Sequence, residues 1–246
     1  MNIYHITYSR EPKTVCLHFW GCNLSCRACL CHKEIYDCHL DETKEAIFEP
    51  ERMAGPPPQK FLSISQVEDI LDNLEVRQAI FMGQESTIDP ELPELAKELH
   101  TRFSSYNILL TNGFYVPSLE HIDEVVFSLK ACSDGLHRHY TGESNREALA
   151  NFAFIYKSGV ALRAESIFIP GDIDCAEIEN IAQFIAEVDC DIPYRIDAYL
   201  PVAGNPWRRP VGDEMESAVT SAKRYLNNVS CLTGSEELKY GVVRVF

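Results

Sequence analysis

The feature that most constrains the fold of this chain is a repeated alternation of short apolar runs with helical patterns. The apolar runs, each of strand length, lie at 15–19, 79–82, 108–110, 125–129, 161–169 and 195–200. Apolar residues at helical spacing lie between several of these runs, at 65–74, 92–103, 149–156 and 178–188. Strands separated by helical segments pair in parallel through right-handed crossovers. We therefore predict a single α/β domain built as a partial (β/α)6 TIM-like barrel.

A doubly wound sheet is the alternative fold that periodicity does not exclude. In both folds, functional residues lie just after the C-terminal ends of the strands. Within one core domain of residues 1–246, we predict that the charged segment 41–60 is an exposed excursion or lid. A capping box of Ser65 and Glu68 predicts the start of the first helix. Residues 208–246 add a last helix at 215–226 and a last strand at 242–246.

The composition excludes several classes of protein. With 246 residues, 46% of them hydrophobic, the chain can bury a sizeable core and is not globally disordered. Its formal net charge of -15 argues against charge-driven binding to nucleic acid or an anionic membrane, and basic residues cluster only at Arg208-Arg209. No run approaches the roughly 18 apolar residues of a membrane span, and residues 1–15 are too polar for a signal peptide. We expect a cytoplasmic protein with neither membrane nor nucleic-acid partners.

Six of the ten cysteines lie within the first 38 residues, which suggests a metal site. Cys22, Cys26 and Cys29 follow the first predicted strand at the spacing C-x3-C-x2-C. Three thiolates in one loop can hold three irons of a [4Fe–4S] cube and leave the fourth iron open. Structural zinc is an alternative, because Cys31 or His32 could complete four closed ligands, and isolated buried cysteines would need no metal. The strand-end position favours the open, catalytic arrangement.

This loop resembles that of the radical S-adenosylmethionine (radical SAM) superfamily, matched by Cys22, Cys26 and Cys29. The resemblance implies that the open iron chelates the methionine end of SAM, and that an electron from the cluster cleaves SAM to a 5′-deoxyadenosyl radical. It also implies SAM contacts at Ala28 and Leu30. Ala28 replaces the usual aromatic residue, so its adenine contact would be made by the backbone alone.

Two further strand ends resemble motifs of the same superfamily. Met82-Gly83-Gln84-Glu85-Ser86 is similar to its Gly-Gly-Glu-Pro loop, with Gln84 and Ser86 as departures. A glycine there lets the backbone approach a ligand, and a carboxylate such as Glu85 can receive the methionine ammonium group. Thr111-Asn112-Gly113 resembles the Thr-Asn-Gly turn of the superfamily, which implies that Thr111 and Asn112 line the site, although an ordinary Asn-Gly turn is the simpler explanation.

From residue 126 the resemblance narrows to the glycyl-radical-enzyme activases. Ser128-Leu129-Lys130, followed by His137, Tyr140 and the Thr141-Gly142 pair, matches their pattern in register. Ser128 replaces an aspartate, yet a hydroxyl and the Lys130 ammonium could still contact cofactor hydroxyls. A solvated strand-end cation is the alternative for Lys130. Two residues depart from the activases, since Glu165 stands where they have arginine and Ala203 where they have histidine in Leu-Pro-x-His.

The resemblance implies a specific reaction and specific partners. An activase-like enzyme would abstract hydrogen from a backbone glycine of a partner polypeptide and would need an external electron donor of the flavodoxin or ferredoxin type. The departures at Ala28, Ser128, Glu165 and Ala203 keep open another radical SAM modification, such as dehydrogenation or methylation of a different peptide, RNA or small molecule. A non-catalytic zinc or Fe–S electron-transfer module is the third reading, which metal content would separate.

Overall fold

One mixed sheet forms the centre of the molecule. The computed structural model describes residues 1–32, 37, 39–40, 48–49, 55–236 and 239–246, so most of the predicted 41–60 excursion lies outside the described residues. The strands are β1 (Ile3–Ser9), β2 (Thr14–Phe19), β3 (Gln78–Gly83), β4 (Tyr106–Thr111), β5 (Glu124–Ser128), β6 (Ala161–Phe168), β7 (Tyr194–Ala198), β8 (Val229–Leu232) and β9 (Val242–Arg244). Among the described residues the order is β8-β7-β6-β5-β4-β3-β2-β1-β9.

The pairing directions confirm an open, partial TIM-like barrel. Strands β2 to β8 pair in parallel with their neighbours, whereas β1 pairs antiparallel with both β2 and β9. Strands β8 and β9 stand at the two edges, so the sheet does not close. All six predicted strands are present, and they lie side by side in chain order.

The helices cover one face of this sheet. They are α1 (Ile64–Leu71), α2 (Leu92–Phe103), α3 (Asp134–Thr141), α4 (Arg146–Ser158), α5 (Cys175–Val188) and α6 (Gly212–Ala222). The capping box of α1 is formed by Ser63 and Gln66, so the predicted pair Ser65 and Glu68 was wrong by two residues. None of the helices in the described part of the chain is both long enough and apolar enough to cross a membrane.

Alternation along the strands separates a packed face from an open one. In β6 and β7, Ala164, Tyr194 and Ile196 are buried in the helix-covered core, while Glu165 and Arg195 between them are only partly buried. The Phe127 ring of β5 meets the Phe152 ring of α4 edge-on, with 5.1 Å between centroids. We call the opposite side of the sheet, which carries Glu165 and Arg195, the inner face. The parallel strands deliver their C-terminal ends to one rim, and this rim positions the candidate site.

Candidate functional site

The cysteine loop, residues 20–29, leaves β2 and is fastened first to the end of β3. The Gln84 amide donates to the Phe19 carbonyl at 3.0 Å, and the Glu85 amide donates to the Gly21 carbonyl at 3.0 Å. The Gln84 side-chain oxygen accepts a hydrogen bond from the Gly21 amide at 2.8 Å. Gln84 therefore holds the entry of the loop, a positioning role that sequence reasoning missed.

The far side of the cysteine loop is fastened to α3 and to the segment after β7. The Ser25 amide donates to the Thr141 carbonyl at 2.9 Å, and the Arg27 amide donates to the Tyr140 carbonyl at 3.0 Å. The Asn205 side chain donates to the Arg27 carbonyl at 2.8 Å. The Arg27 guanidinium lies over the Trp207 ring, 4.8 Å from its centroid. The loop is thus fixed from three directions.

The three thiols share one electrostatic environment with Lys130. Burial raises the pKa of Cys26 to about 11; the charge of Lys130 opposes this shift, and those of Cys29 and Cys22 add to it. Burial also raises the pKa of Cys22, helped by Glu85 and Cys29 and opposed by the Leu24 amide and Lys130. Thiols with raised pKa values must lose their protons to bind metal, so metal binding here would release protons.

The chemistry of the three thiols fits a [4Fe–4S] cluster. Each thiolate can bind one iron of a cube, which leaves the fourth iron open. Among the described residues, no set of three closely spaced ligand atoms that includes Cys22, Cys26 or Cys29 forms a closed zinc site. The side chain of His32 lies outside the described residues.

The backbone of β2 gives Gly83 a structural reason to be glycine, in addition to the predicted approach of a ligand. Its φ is +105°, and a Cβ placed there would lie 2.6 Å from both the amide nitrogen and the carbonyl oxygen of Phe19. The close approach of the β2 and β3 backbones at the cysteine loop therefore demands glycine, whether or not a ligand lies nearby. A side chain at this position would disturb the loop itself.

Glu85 is buried, with 1% of its surface exposed, and its carboxylate joins two strand ends. Its Oε1 accepts hydrogen bonds from the hydroxyls of Thr87 at 2.6 Å and Thr111 at 2.8 Å, and its Oε2 accepts from the Asn112 amide at 2.8 Å. Burial raises the pKa of Glu85, and these hydrogen bonds oppose the shift. The expected contact with the methionine ammonium group stays a prediction, because much of this carboxylate is already engaged.

Asn112 brings the end of β4 to the cysteine loop. Its side-chain amide donates to Asn23 Oδ1 at 2.7 Å and lies 3.7 Å from Cys22 Sγ. The Thr111 hydroxyl donates to Glu85 and accepts from the Gly113 amide at 3.0 Å. The structure therefore places Asn112 beside a predicted cluster ligand and Thr111 behind it.

Ser128, Lys130 and Glu165 meet on the inner face near the same rim. The Ser128 hydroxyl donates to Glu165 Oε1 at 2.6 Å, which leaves the Ser128 oxygen able to accept a further bond. No hydrogen bond or ion pair within the described residues engages the Lys130 ammonium. Glu165, which replaces the activase arginine, accepts from Arg195 Nη2 at 2.6 Å. The positive charge beside Glu165 is therefore supplied by Arg195 of β7, a residue to which the sequence analysis assigned no role.

The remaining predicted contacts lie around the cysteine loop. Ala28 is buried with 3% exposure, whereas Leu30 is 36% exposed in a short 3-10 helix, Leu30–His32. Ala203 follows Val202, whose amide donates to the Tyr199 hydroxyl at 2.9 Å. The Tyr199 ring is edge-on to Trp207 at 5.8 Å. Methyl groups at Ala28 and Ala203 offer only van der Waals contact to a ligand.

Comparisons with known proteins identify the family of this chain. The profile of the Radical SAM superfamily matches residues 17–185. A Methanocaldococcus jannaschii protein that carries the provisional name glycyl-radical enzyme activating enzyme is 28% identical over 239 residues, which are 94% of this chain and 84% of that protein. A solved domain of the pyruvate-formate lyase-activating enzyme from Bacteroides vulgatus aligns with a TM-score of 0.54 and 14% identity, covering 63% of this chain and 99% of that one.

A larger protein of known structure shares the fold over most of this chain. Streptococcus suis SuiB bound to S-adenosylmethionine aligns with a TM-score of 0.62 and 16% identity, over 86% of this chain and 48% of SuiB. This chain thus spans about half the length of SuiB. Members of the matched family use a [4Fe–4S] cluster and SAM. Since the family profile covers more than half of the sequence, this chain belongs to the radical SAM superfamily.

Proposed function

We propose that this radical SAM enzyme abstracts a hydrogen atom from a polypeptide, in the manner of the glycyl-radical-enzyme activases. The observation that supports the activase assignment most is the Methanocaldococcus jannaschii relative, whose match extends over 94% of this chain. Similarity over nearly the whole length includes the rim residues after β5 as well as the cysteine loop.

Different residues of the rim would hold the cluster and SAM. Cys22, Cys26 and Cys29 would hold the cluster, and Lys130 would pair with the SAM carboxylate because its ammonium has no ion pair within the described residues. Once bound, the reduced cluster and SAM supply the 5′-deoxyadenosyl radical that abstracts hydrogen. Asn112 and the Ser128 oxygen would orient the cofactor through hydrogen bonds, and Glu85 would keep the ends of β3 and β4 together.

Several smaller contacts complete the proposed SAM site. The backbone around Gly83 and Gln84 would face the methionine end, while Ala28, Leu30, Thr111 and Ala203 would line the adenosine end. Cleavage of SAM consumes one electron, so the proposal includes an external donor of the flavodoxin or ferredoxin type. We place the reaction in the cytoplasm, where thiols stay reduced.

A second function shares the same cofactors. Another peptide modification is favoured by the fold of SuiB, which was also solved bound to its precursor peptide SuiA and aligns with a TM-score of 0.61 over 86% of this chain. Methylation or dehydrogenation of an RNA or a small molecule would use the same radical. Identification of the product therefore distinguishes the two functions.

The test is electron paramagnetic resonance after anaerobic incubation with SAM, dithionite and candidate glycyl-radical proteins from the same genome. Mass spectrometry of co-purifying proteins accompanies it. A persistent glycyl doublet supports activation. A stable mass change on a peptide favours the second function, and turnover of a small molecule alone contradicts the polypeptide proposal.

A further inference from the structure

The inner face carries an arginine that is held from two sides. Arg195 of β7 donates from Nη2 to Glu165 Oε2 at 2.6 Å and to Asp197 Oδ2 at 2.9 Å, and from Nε to Asp197 Oδ1 at 2.8 Å. Glu165 is its register partner on β6. We call Glu165, Arg195 and Asp197 the guanidinium clamp. Because two carboxylates hold one edge of the guanidinium, its orientation is fixed before any substrate arrives.

The third guanidinium nitrogen is not used by the clamp. Nη1 of Arg195 makes no hydrogen bond within the described residues, and 36% of the side chain is exposed. The flanking residues Tyr194 and Ile196 are buried against the helices, so Arg195 lies on the inner face. The two N–H groups of Nη1 are therefore donors in reach of a molecule that enters this face.

The clamp lies next to the proposed radical site. Burial raises the pKa of Asp197 and the Glu165 charge adds to the shift, while Arg195 and the Lys130 ammonium oppose it. The Ser128 hydroxyl donates to Glu165 Oε1 at 2.6 Å, so the clamp touches a predicted SAM-binding residue, and Lys130 follows Ser128 by two residues. Within the clamp, two carboxylates, Glu165 and Asp197, face the single charge of Arg195.

We propose that Arg195 binds the polypeptide substrate by donating from Nη1 to one of its backbone carbonyl oxygens. The inference rests on the proposed function and deepens it by naming the recognition group. A neutral carbonyl suits this position because the guanidinium charge is already paired with two carboxylates. A free carboxylate would add an uncompensated negative charge beside Glu165 and Asp197.

The experiment uses a pool of N-acetylated, C-amidated heptapeptides with a central α,α-dideuteroglycine and varied flanks. Holoenzyme, SAM and dithionite are supplied, and mass spectrometry measures deuterium in 5′-deoxyadenosine. Transfer breaks one Cα–D bond, forms a C–D bond at the 5′ carbon and leaves the unpaired electron on the peptide, while dithionite supplies the electron that cleaves SAM. Peptide concentration is varied so that KM and kcat are separated.

Arg195→Gln is expected to raise the peptide KM about tenfold, the size of one hydrogen bond to a charged group. Arg163→Gln is the matched control. Arg163 lies two residues before Glu165 on the same face of β6, its side chain is 46% exposed, and it pairs with Glu124. The control should stay within about twofold of wild type.

Glu165→Gln is a second variant that loosens the clamp without removing Arg195, and its peptide KM should rise by a smaller factor. Iron content and circular dichroism confirm that each variant is folded and loaded. Equal KM values in Arg195→Gln and wild type, with deuterium transferred by both, would overturn this inference alone. A wild-type enzyme that releases 5′-deoxyadenosine but takes deuterium from no peptide would overturn the proposed polypeptide substrate as well.

Discussion

The two halves of the rim are built in opposite ways. In the cysteine-loop half, formed by residues 20–29 and the ends of β3 and β4, Glu85 is buried and its carboxylate is engaged by Thr87, Thr111 and Asn112. In the clamp half, formed by Ser128, Lys130 and the guanidinium clamp, side chains are partly exposed, and the Lys130 ammonium and Arg195 Nη1 have no hydrogen-bond partner among the residues that the structure describes. The contrast indicates that the first half holds the cofactors rigidly, whereas the second half is a partly exposed surface that can contact different substrates.

The departures from the activase pattern follow the same division. Glu165 and Ser128, both replacements, bond each other in the clamp half at 2.6 Å. Gln84, a replacement in the cysteine-loop half, accepts a hydrogen bond from the Gly21 amide and so helps to hold the cysteine loop. Substitution in the first half therefore preserves a fixed loop, and substitution in the second half changes what a substrate would meet.

The largest expected effect is loss of the cluster from the cysteine-loop half. Wild-type protein purified without oxygen should hold about four irons per chain. Cys22→Ala, Cys26→Ala or Cys29→Ala should hold almost none, because each removes one of three thiolate ligands. Iron and sulfide assays measure this, with Cys31→Ala and Cys16→Ala as controls that keep the cluster. Equal iron loss in Cys31→Ala and Cys26→Ala would show that the ligand set is wrong.

The second largest expected effect is a loss of stability when a side chain is placed at Gly83, where the backbones of β2 and β3 approach closely. Gly83→Ala should lower the free energy of unfolding by roughly 3 kcal/mol, since it combines left-handed strain with a clash against Phe19. Gly142→Ala is the matched control, because Gly142 also has a positive φ of +89° but a Cβ there meets nothing within 4 Å. Its cost should be about 1 kcal/mol. If denaturant titrations gave the same loss of unfolding free energy for both variants, the close approach of Phe19 would not be the reason for glycine at position 83.

A direct comparison of the halves uses two carboxylates. Glu85→Gln should cost about 2 kcal/mol of unfolding free energy, because an amide N–H would face one of the donors that Glu85 now accepts. Glu165→Gln, in the partly exposed clamp, should cost well under 1 kcal/mol. If chemical denaturation found the reverse order, the assignment of a rigid half and an adaptable half would be wrong.

The smallest effect is a pH dependence from β1, which flanks the cysteine-loop half. Burial lowers the pKa of His5 to about 4, with the charges of His18 and Arg244 adding to it. The folded state therefore favours the neutral ring of His5. Its contribution to the free energy of unfolding is complete above the ordinary pKa of 6.5 and is lost as the pH falls towards 4. His5→Gln should flatten the fall in stability over this window by on the order of 1–2 kcal/mol. An unchanged pH profile would mean that His5 does not titrate there.

Sequence periodicity predicted the six central strands and their parallel order, because apolar runs in a sheet covered by helices are continuous and easily recognised. It missed β1, where His5 and Thr7 lie among buried residues and break the apolar pattern. It also missed β8 and α3, whose exposed positions leave a short or weakly apolar signal. Helix and strand patterns report burial, so partly exposed elements are hard to predict.

The candidate site was predictable where the chemistry is local in sequence. The three cysteines form one motif, and the structure groups them electrostatically with Lys130. The guanidinium clamp was not predictable, because the contact between Glu165 and Arg195 depends on the register of β6 with β7 across 30 residues. The close contact of Gly83 with Phe19 was not predictable for a similar reason, since it depends on the pairing of β2 with β3.

The most direct test of the central claim is anaerobic reconstitution with iron and sulfide, followed by SAM and dithionite and chromatography of the products. The claim is that Cys22, Cys26 and Cys29 hold an open cluster that works with SAM. We predict a brown protein that releases 5′-deoxyadenosine and methionine, and a Cys26→Ala variant that releases neither. A protein that takes up zinc in place of iron, or that holds the cluster but leaves SAM intact, would contradict the account.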